Sequence, residues 1–170
     1  MSKIRLGVLG GGGDSLIGVL HRVASNMYDR YEITGGVFNP DYKENIKFAE
    51  QIGVNTDRVY VDFDTFIAEE IKKPKEERIE VVSVLTPNFL HFPMAKKLLE
   101  NGFHVICEKP LTTTYAEAKE LEALQKANNA IFAVTYTYTG YPMVRHMKHM
   151  IAEGELGEIQ KIDVQYYQGW

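Results

Sequence analysis

A chain of 170 residues, 45% apolar and 25% charged, suits one well-buried domain and little more, and its mix is that of a globular protein rather than a disordered or fibrous one. With 19 basic and 23 acidic side chains and a net charge of -4, it sets up no field for nucleic acid or an anionic membrane, and both are excluded as partners. The single cysteine, Cys107, excludes an internal disulfide framework and a cysteine metal cluster, and suits a reducing compartment.

The first apolar run, residues 4–9, reads as a buried strand. It breaks into glycines before a signal sequence or a spanning helix could be completed, so the chain is expected to be cytoplasmic. Leu16, Ile17, Leu20, Val23, Ala24 and Met27 then recur at spacings of three and four, which predicts a helix with one apolar stripe. A second strand at 31–38, a helix at 42–51 ending at Gly53, a short strand at 59–61 and a helix through Phe66, Ile67 and Ile71 follow. The charged run 72–78, with Pro74 inside it, is a solvated loop.

Residues 79–85 are apolar at nearly every position, as a strand covered on both faces requires. A helix over about 89–101 stops at Gly102; a strand at 104–107, a helix opened by the capping box TYAE (residues 114–117) and a strand at 131–135 complete the rhythm. Six strands alternating with helices predict an α/β fold, a Rossmann-type doubly wound parallel sheet.

After TYTGYP the rhythm stops. A helix is expected over about 142–153, and then Ile162, Val164 and Tyr166 alternate with polar residues, as in a strand of a different sheet with one wet face. The expected division is a dinucleotide-binding domain at 1–138 and the beginning of a truncated second α+β domain at 139–170. On that helix His146, His149 and Glu153 share one face, but zinc signatures are missing and a polar face accounts for them, so no metal is expected.

The stretch GGGGDSLIG, residues 10–18, lies between the first strand and the first helix. There helix N-terminal amides favour an anion, and glycine lets a pyrophosphate approach. Gly10, Gly12 and Ser15 take the three fingerprint positions with serine at the third, whereas Gly13 and Gly18 match only a stretched version. Asp14 would repel phosphate unless turned outward, for instance to cap the helix. A purely structural tight turn is the plain alternative; a P-loop is disfavoured, since no Gly-Lys-Ser/Thr follows. At the end of the second strand, FNPDYKEN places Asn39 where an acidic residue would hold the ribose, with Asp41 and Lys43 beyond, which leaves NAD against NADP open.

Chemistry in an open parallel sheet gathers at the carboxyl ends of its strands. In TPNFLH, Pro87 ends the strand, Asn88 is placed to cap the next helix and His91 lies in its first turn; a capping asparagine with a chance surface histidine is the alternative. In EKP, Lys109 could donate hydrogen bonds to ribose or substrate, or move protons if desolvated; the alternative is a surface pair of Glu108 and Lys109. Cys107 reads as a small buried hydrophobe. Tyr136, Tyr138 and Tyr141 serve either as the wall of a substrate cleft or as packing at the domain boundary.

The strand-glycines-helix opening, TPNFLHFPMAKKLLENGFHVICEKPLTTTYAEA and GYPMVRHMKHMIAEGELGEI together resemble the glucose-fructose oxidoreductase and inositol dehydrogenase (Gfo/Idh/MocA) family, from residue 4 to about 169. The resemblance implies a Rossmann domain, a C-terminal open-sheet domain for substrate binding and homo-oligomer contacts, and hydride transfer between NAD or NADP and a hydroxyl carbon of a sugar, polyol or cyclitol. By position it places Lys109 as the catalytic lysine near nicotinamide and substrate, Thr86, Pro87, Asn88 and His91 in the nicotinamide pocket, and Gly10, Gly12, Gly13 and Ser15 at the pyrophosphate; Asn39 and Glu108 complete the cofactor-binding set. The family's acid-base aspartate and histidine would lie beyond Trp170, so the chain as given is expected to bind nucleotide without turnover. The rival expectations are a non-catalytic NAD(P)-binding module or regulator and, against the EKP motif, a methyltransferase.

Overall fold

The computed structural model describes residues 2–167 and Gly169, and it divides into two compact units, Met1–Thr135 and Tyr136–Trp170. In the first, five strands run parallel: β1 (Ile4–Gly10), β2 (Tyr31–Val37), β3 (Val81–Leu85), β4 (His104–Cys107) and β5 (Phe132–Val134), in the order β2-β1-β3-β4-β5. Between them run α1 (Leu16–Asn26), α2 (Tyr42–Gln51), α3 (Phe63–Glu70), α4 (His91–Glu100) and α5 (Tyr115–Ala127). The chain leaves β1 toward β2 on one side and returns to β3 on the other, which makes the gap between β1 and β3 the switch point of the sheet.

Strand side chains alternate between faces, and β1 divides the core accordingly. Leu6 and Val8 join Phe38, Phe48, Ala49 and Val59 on one face, whereas Leu9 joins Phe66, Ile79, Leu98, Leu99, Phe103 and Leu121 on the other. Helices α3, α4 and α5 thus cover one face, and α2 covers part of the other.

The first unit departs from expectation at residues 59–61 and at Asn88, and it turns α1 in a way the stripe alone does not fix. The strand expected at 59–61 is one parallel bridge, Val59 to Gly36. Asn55 caps a 3-10 turn at Thr56–Arg58 and Asp62 caps α3, so too little chain lies between the caps to extend a ladder. The apolar stripe of α1 does not face the core: Leu16, Leu20, Val23 and Met27 are exposed, and the helix buries Gly18 and Ser25 instead. Close approach at glycine sets its contact face. Asn88 does not cap a helix with its side chain, because a 3-10 turn at Asn88–Leu90 precedes α4.

A polar knot lies inside the first unit. Fully buried Glu70 accepts from Arg58 Nε at 2.9 Å and Arg58 Nη2 at 2.8 Å, from the Ile79 N–H at 2.9 Å, and from the Tyr60 hydroxyl. Burial and the adjacent Glu70 carboxylate push the Tyr60 phenol above its ordinary range.

In the second unit, α6 (Pro142–Ala152) follows a 3-10 turn at Thr137–Gly140. Tyr138 packs edge-on against Tyr141 with centroids 5.4 Å apart, and its hydroxyl lies 2.8 Å from that of Tyr166. The expected strand through Ile162, Val164 and Tyr166 does not form; these residues are exposed, and no neighbouring strand among the described residues pairs with their backbone groups. Gln168 and Trp170, at the end of that expectation, lie outside the described residues. No helix among the described residues is long and apolar enough to cross a membrane.

Candidate functional site

The glycine run turns the chain sharply from β1 into α1. Gly10 and Gly11 have φ of +83° and +69°, and the Gly12 N–H donates to the Phe38 carbonyl at 3.1 Å, so close that a Cβ on Gly12 would sit 2.6 Å from that oxygen. A Cβ on Gly18 would lie 1.8 Å from the Gly11 carbonyl oxygen. Gly18, not Ser15, is therefore the glycine that lets helix and loop close up.

Ser15 is the helix cap: its Oγ accepts from the Gly18 N–H at 3.1 Å, and its own N–H donates to Gly12 O at 3.3 Å. Asp14 is exposed and caps nothing. The N–H groups of Gly13, Asp14, Leu16 and Ile17 find no acceptor among the described residues. Unpaired donors at the positive end of a helix, beside glycines stripped of side chain, fit a diphosphate.

Next to this turn, a cavity of about 240 Å³ opens at the switch point. Ser15 and Ile17 line it from α1, Leu85 and Thr86 from the end of β3, Asn88 and His91 from the start of α4, and Glu108 and Lys109 from the end of β4. Six residues expected from the sequence, Ser15, Thr86, Asn88, His91, Glu108 and Lys109, are thereby brought together. Gly10, Gly12 and Gly13 build the adjoining turn; Pro87 and Asn39 do not line the cavity. The Asn39 Oδ1 accepts from the Asp41 N–H at 2.9 Å, and Asp41 caps α2, so both polar groups after β2 serve the local turn.

Glu108 does not pair with Lys109 through side chains. Its Oε1 accepts from the Thr135 hydroxyl at 2.6 Å and lies 3.2 Å from His21 Nε2, and its Oε2 accepts from the Lys109 N–H at 3.1 Å. Burial disfavours the charge, but these hydrogen bonds outweigh it and hold the carboxyl below its ordinary range. The carboxylate thus ties α1, β4 and the residue after β5 into one frame. Lys109 is exposed, and its ammonium forms no ion pair among the described residues. Behind it, Cys107 is fully buried, and desolvation with the neighbouring Glu108 charge pushes its thiol up to about 12.

His21 is absent from the expected site, Thr135 is expected only as a strand end, and Gly18 only as a stretched match to the fingerprint. The signal that could have found two of them is a second stripe on α1, Gly18, His21, Arg22 and Ser25, at helical spacing on the side away from the apolar one. Arg22 from that stripe donates to Gly11 O at 2.8 Å and lies 4.9 Å over the Phe48 ring, bracing the turn.

The model of the oxidoreductase family with an NAD-binding Rossmann fold, Gfo/Idh/MocA, matches residues 4–136. The chain belongs to this family. It is 39% identical over 168 residues to the uncharacterized oxidoreductase YfiI of Bacillus subtilis, across 98% of this chain and 42% of that protein. Among solved structures, an oxidoreductase from Pseudomonas syringae superposes with a TM-score of 0.88 at 38% identity, over 92% of this chain and 43% of the other. An inositol dehydrogenase homolog from Azotobacter vinelandii, complexed with NADH and myo-inositol, gives 0.88 at 40% identity, over 92% and 41%. The chain thus spans about two fifths of the length of these relatives. The amides around Ser15 and the close contacts at Gly12 and Gly18 are those that an NAD-binding Rossmann turn needs.

Proposed function

We propose that the protein is a cytoplasmic NAD(P)-dependent oxidoreductase acting on a hydroxyl carbon of a sugar, polyol or cyclitol, homo-oligomeric at full length. One observation carries the reading: exposed Lys109 lines the same cavity as Ser15, at the switch point, beside four N–H groups without acceptors among the described residues. The myo-inositol in the similar Azotobacter structure supports the substrate class.

Gly10, Gly12, Gly13 and Ser15 form the diphosphate seat: Gly10 and Gly12 keep it clear of side chains, the N–H groups of Gly13 and of the neighbouring Asp14, Leu16 and Ile17 donate to the phosphates, and Ser15 adds a cap hydroxyl whose proton remains available to an oxygen. Asn39 stands at the ribose end, and Thr86, Pro87, Asn88 and His91 form the nicotinamide side. When bound, the nicotinamide supplies the hydride acceptor or donor. Lys109 is the catalytic residue: its ammonium donates a hydrogen bond to the substrate hydroxyl oxygen and stabilises the negative charge that grows there as the proton leaves. Glu108, fixed by Thr135 and His21, keeps the Lys109 backbone in place. The departing proton goes to a base contributed from beyond residue 170.

Titration with NADH and NADPH should give a dissociation constant between about micromolar and millimolar for at least one of them. In the full-length protein, assayed on a panel of polyols and sugars, Lys109→Met should lower kcat by about a hundredfold or more while nucleotide affinity changes by less than about fivefold. Absence of binding by either nucleotide sinks the reading; nucleotide binding without turnover on any hydroxylated substrate turns it into a non-catalytic binding module.

A further inference from the structure

His91 opens α4 and is fully buried, yet neither ring nitrogen is free. Its Nδ1 lies 2.7 Å from the Pro110 carbonyl oxygen and its Nε2 lies 2.8 Å from the Thr86 carbonyl oxygen. Carbonyl oxygens only accept, so the neutral ring donates to one of them and stands against the other, and both contacts are hydrogen bonds at once only in the imidazolium.

Those two carbonyls belong to segments that part company. The ladder between β3 and β4 runs to the pair Val84 and Cys107, and the Glu108 N–H then donates to Val84 O at 3.0 Å. Beyond that point no backbone hydrogen bond among the described residues joins 85–90 to 109–114. The His91 ring bridges the gap instead, tying Thr86 on one arm to Pro110, the residue after Lys109, on the other.

We infer that His91 is a positioning residue, whose ring sets the spacing between the Thr86 arm and the Lys109 arm and so fixes where the Lys109 ammonium stands in the cavity. The inference rests on the proposed role of Lys109 for its catalytic consequence, but the bridge itself is a property of the protein without nucleotide. An unbridged pair of loop arms would wander relative to each other, and misplacement of a reacting group by about 1 Å is enough to cost about a hundredfold in rate.

The two ends of the bridge can be cut separately. The asparagine amide nitrogen stands close to where histidine carries Nδ1, and the glutamine amide nitrogen close to where it carries Nε2. His91→Asn therefore keeps the Pro110 contact and loses Thr86; His91→Gln does the reverse. Amide hydrogen exchange of the nucleotide-free protein should show His91→Gln raising exchange by about tenfold in residues 108–113 with a smaller change in 86–90, and His91→Asn giving the opposite pattern. In the full-length enzyme, His91→Gln should lower kcat by about tenfold more than His91→Asn, and His91→Asn should weaken NADH binding more than His91→Gln.

Equal loosening of both arms in both variants, with kinetic losses that follow the melting temperature, overturns the inference and leaves His91 as core filler. So does no loosening in either. If neither variant folds, the wild-type protein decides: coupled arms give the Leu90 and Lys109 amides protection within about tenfold of each other, and a wider gap overturns the bridge. Failure of NADH to bind wild type would remove the proposed function without altering the exchange pattern, so the two failures are distinguishable.

Discussion

Gly18 and Gly11 touch backbone to backbone: a Cβ on Gly18 would stand 1.8 Å from the Gly11 carbonyl oxygen, a separation no side chain can occupy. Gly18→Ala must therefore drive α1 away from the loop, at a cost of at least about 2 kcal/mol in unfolding free energy. Because the amides of Leu16 and Ile17 move with the helix, affinity for NADH should fall by about tenfold or more. Gly13 is the control for stability. Nothing lies within 4 Å of its Cβ position, so Gly13→Ala pays only for a left-handed φ of +55°, about 1 kcal/mol. Chemical denaturation and nucleotide titration of both variants check the ranking.

Glu108 should leave a signature in the acid limb of the stability curve. Its folded carboxyl titrates below the ordinary range, near 4.3, that it has in the unfolded chain. The folded state thus gains from the charged form above about pH 4.3, and the gain is lost as pH falls through the lower folded value. Glu108→Gln should lower the melting temperature at neutral pH, and the two curves should converge below about pH 4. Melting temperatures measured from pH 2 to 7 would show a constant gap if the carboxylate contributes nothing.

The Glu70 knot is a folding determinant remote from the cavity. Removing the carboxylate as Glu70→Ala leaves the Arg58 guanidinium, only 16% exposed, without its partner, together with the Ile79 N–H and the Tyr60 hydroxyl. The expected loss is about 3 to 5 kcal/mol. A smaller loss, under about 1 kcal/mol by urea denaturation, would show that water replaces the carboxylate.

Cys107 should be inert in the folded protein. Its thiol is buried and pushed up to about 12, so almost no thiolate exists at pH 8. Ellman's reagent should react only after denaturation, with an unfolded thiol that titrates near 8.5. Rapid labelling of the native protein would mean that β4 opens locally.

The architecture was legible where a local pattern had one physical meaning. Residues 79–85 are apolar at all positions but Glu80 and Ser83, as a strand covered on both faces requires, and Val81–Leu85 is a central strand; Thr114 and Glu117 form the capping box that their spacing announced. Residues 59–61 carried strand-forming side chains too, but the caps at Asn55 and Asp62 compete for the same short stretch, and the ladder shrinks to one bridge. The stripe on α1 misled for a different reason. Periodicity identifies a helix and its apolar side, yet Gly18 against Gly11 decides which side meets the sheet.

By itself, the sequence determined the alternation of elements, the glycine turn at the first crossover and the placement of Thr86, Asn88, His91 and Lys109 at strand ends, because these follow from spacing along the chain. Only the tertiary structure decided the partners. Glu108 meets His21 and Thr135 from 87 and 27 residues away in the chain, and His91 meets Pro110 across the parting of β3 and β4. Such contacts depend on which strands lie side by side, and the order β2-β1-β3-β4-β5 is set by how helices cover a twisted sheet rather than by any neighbouring residue.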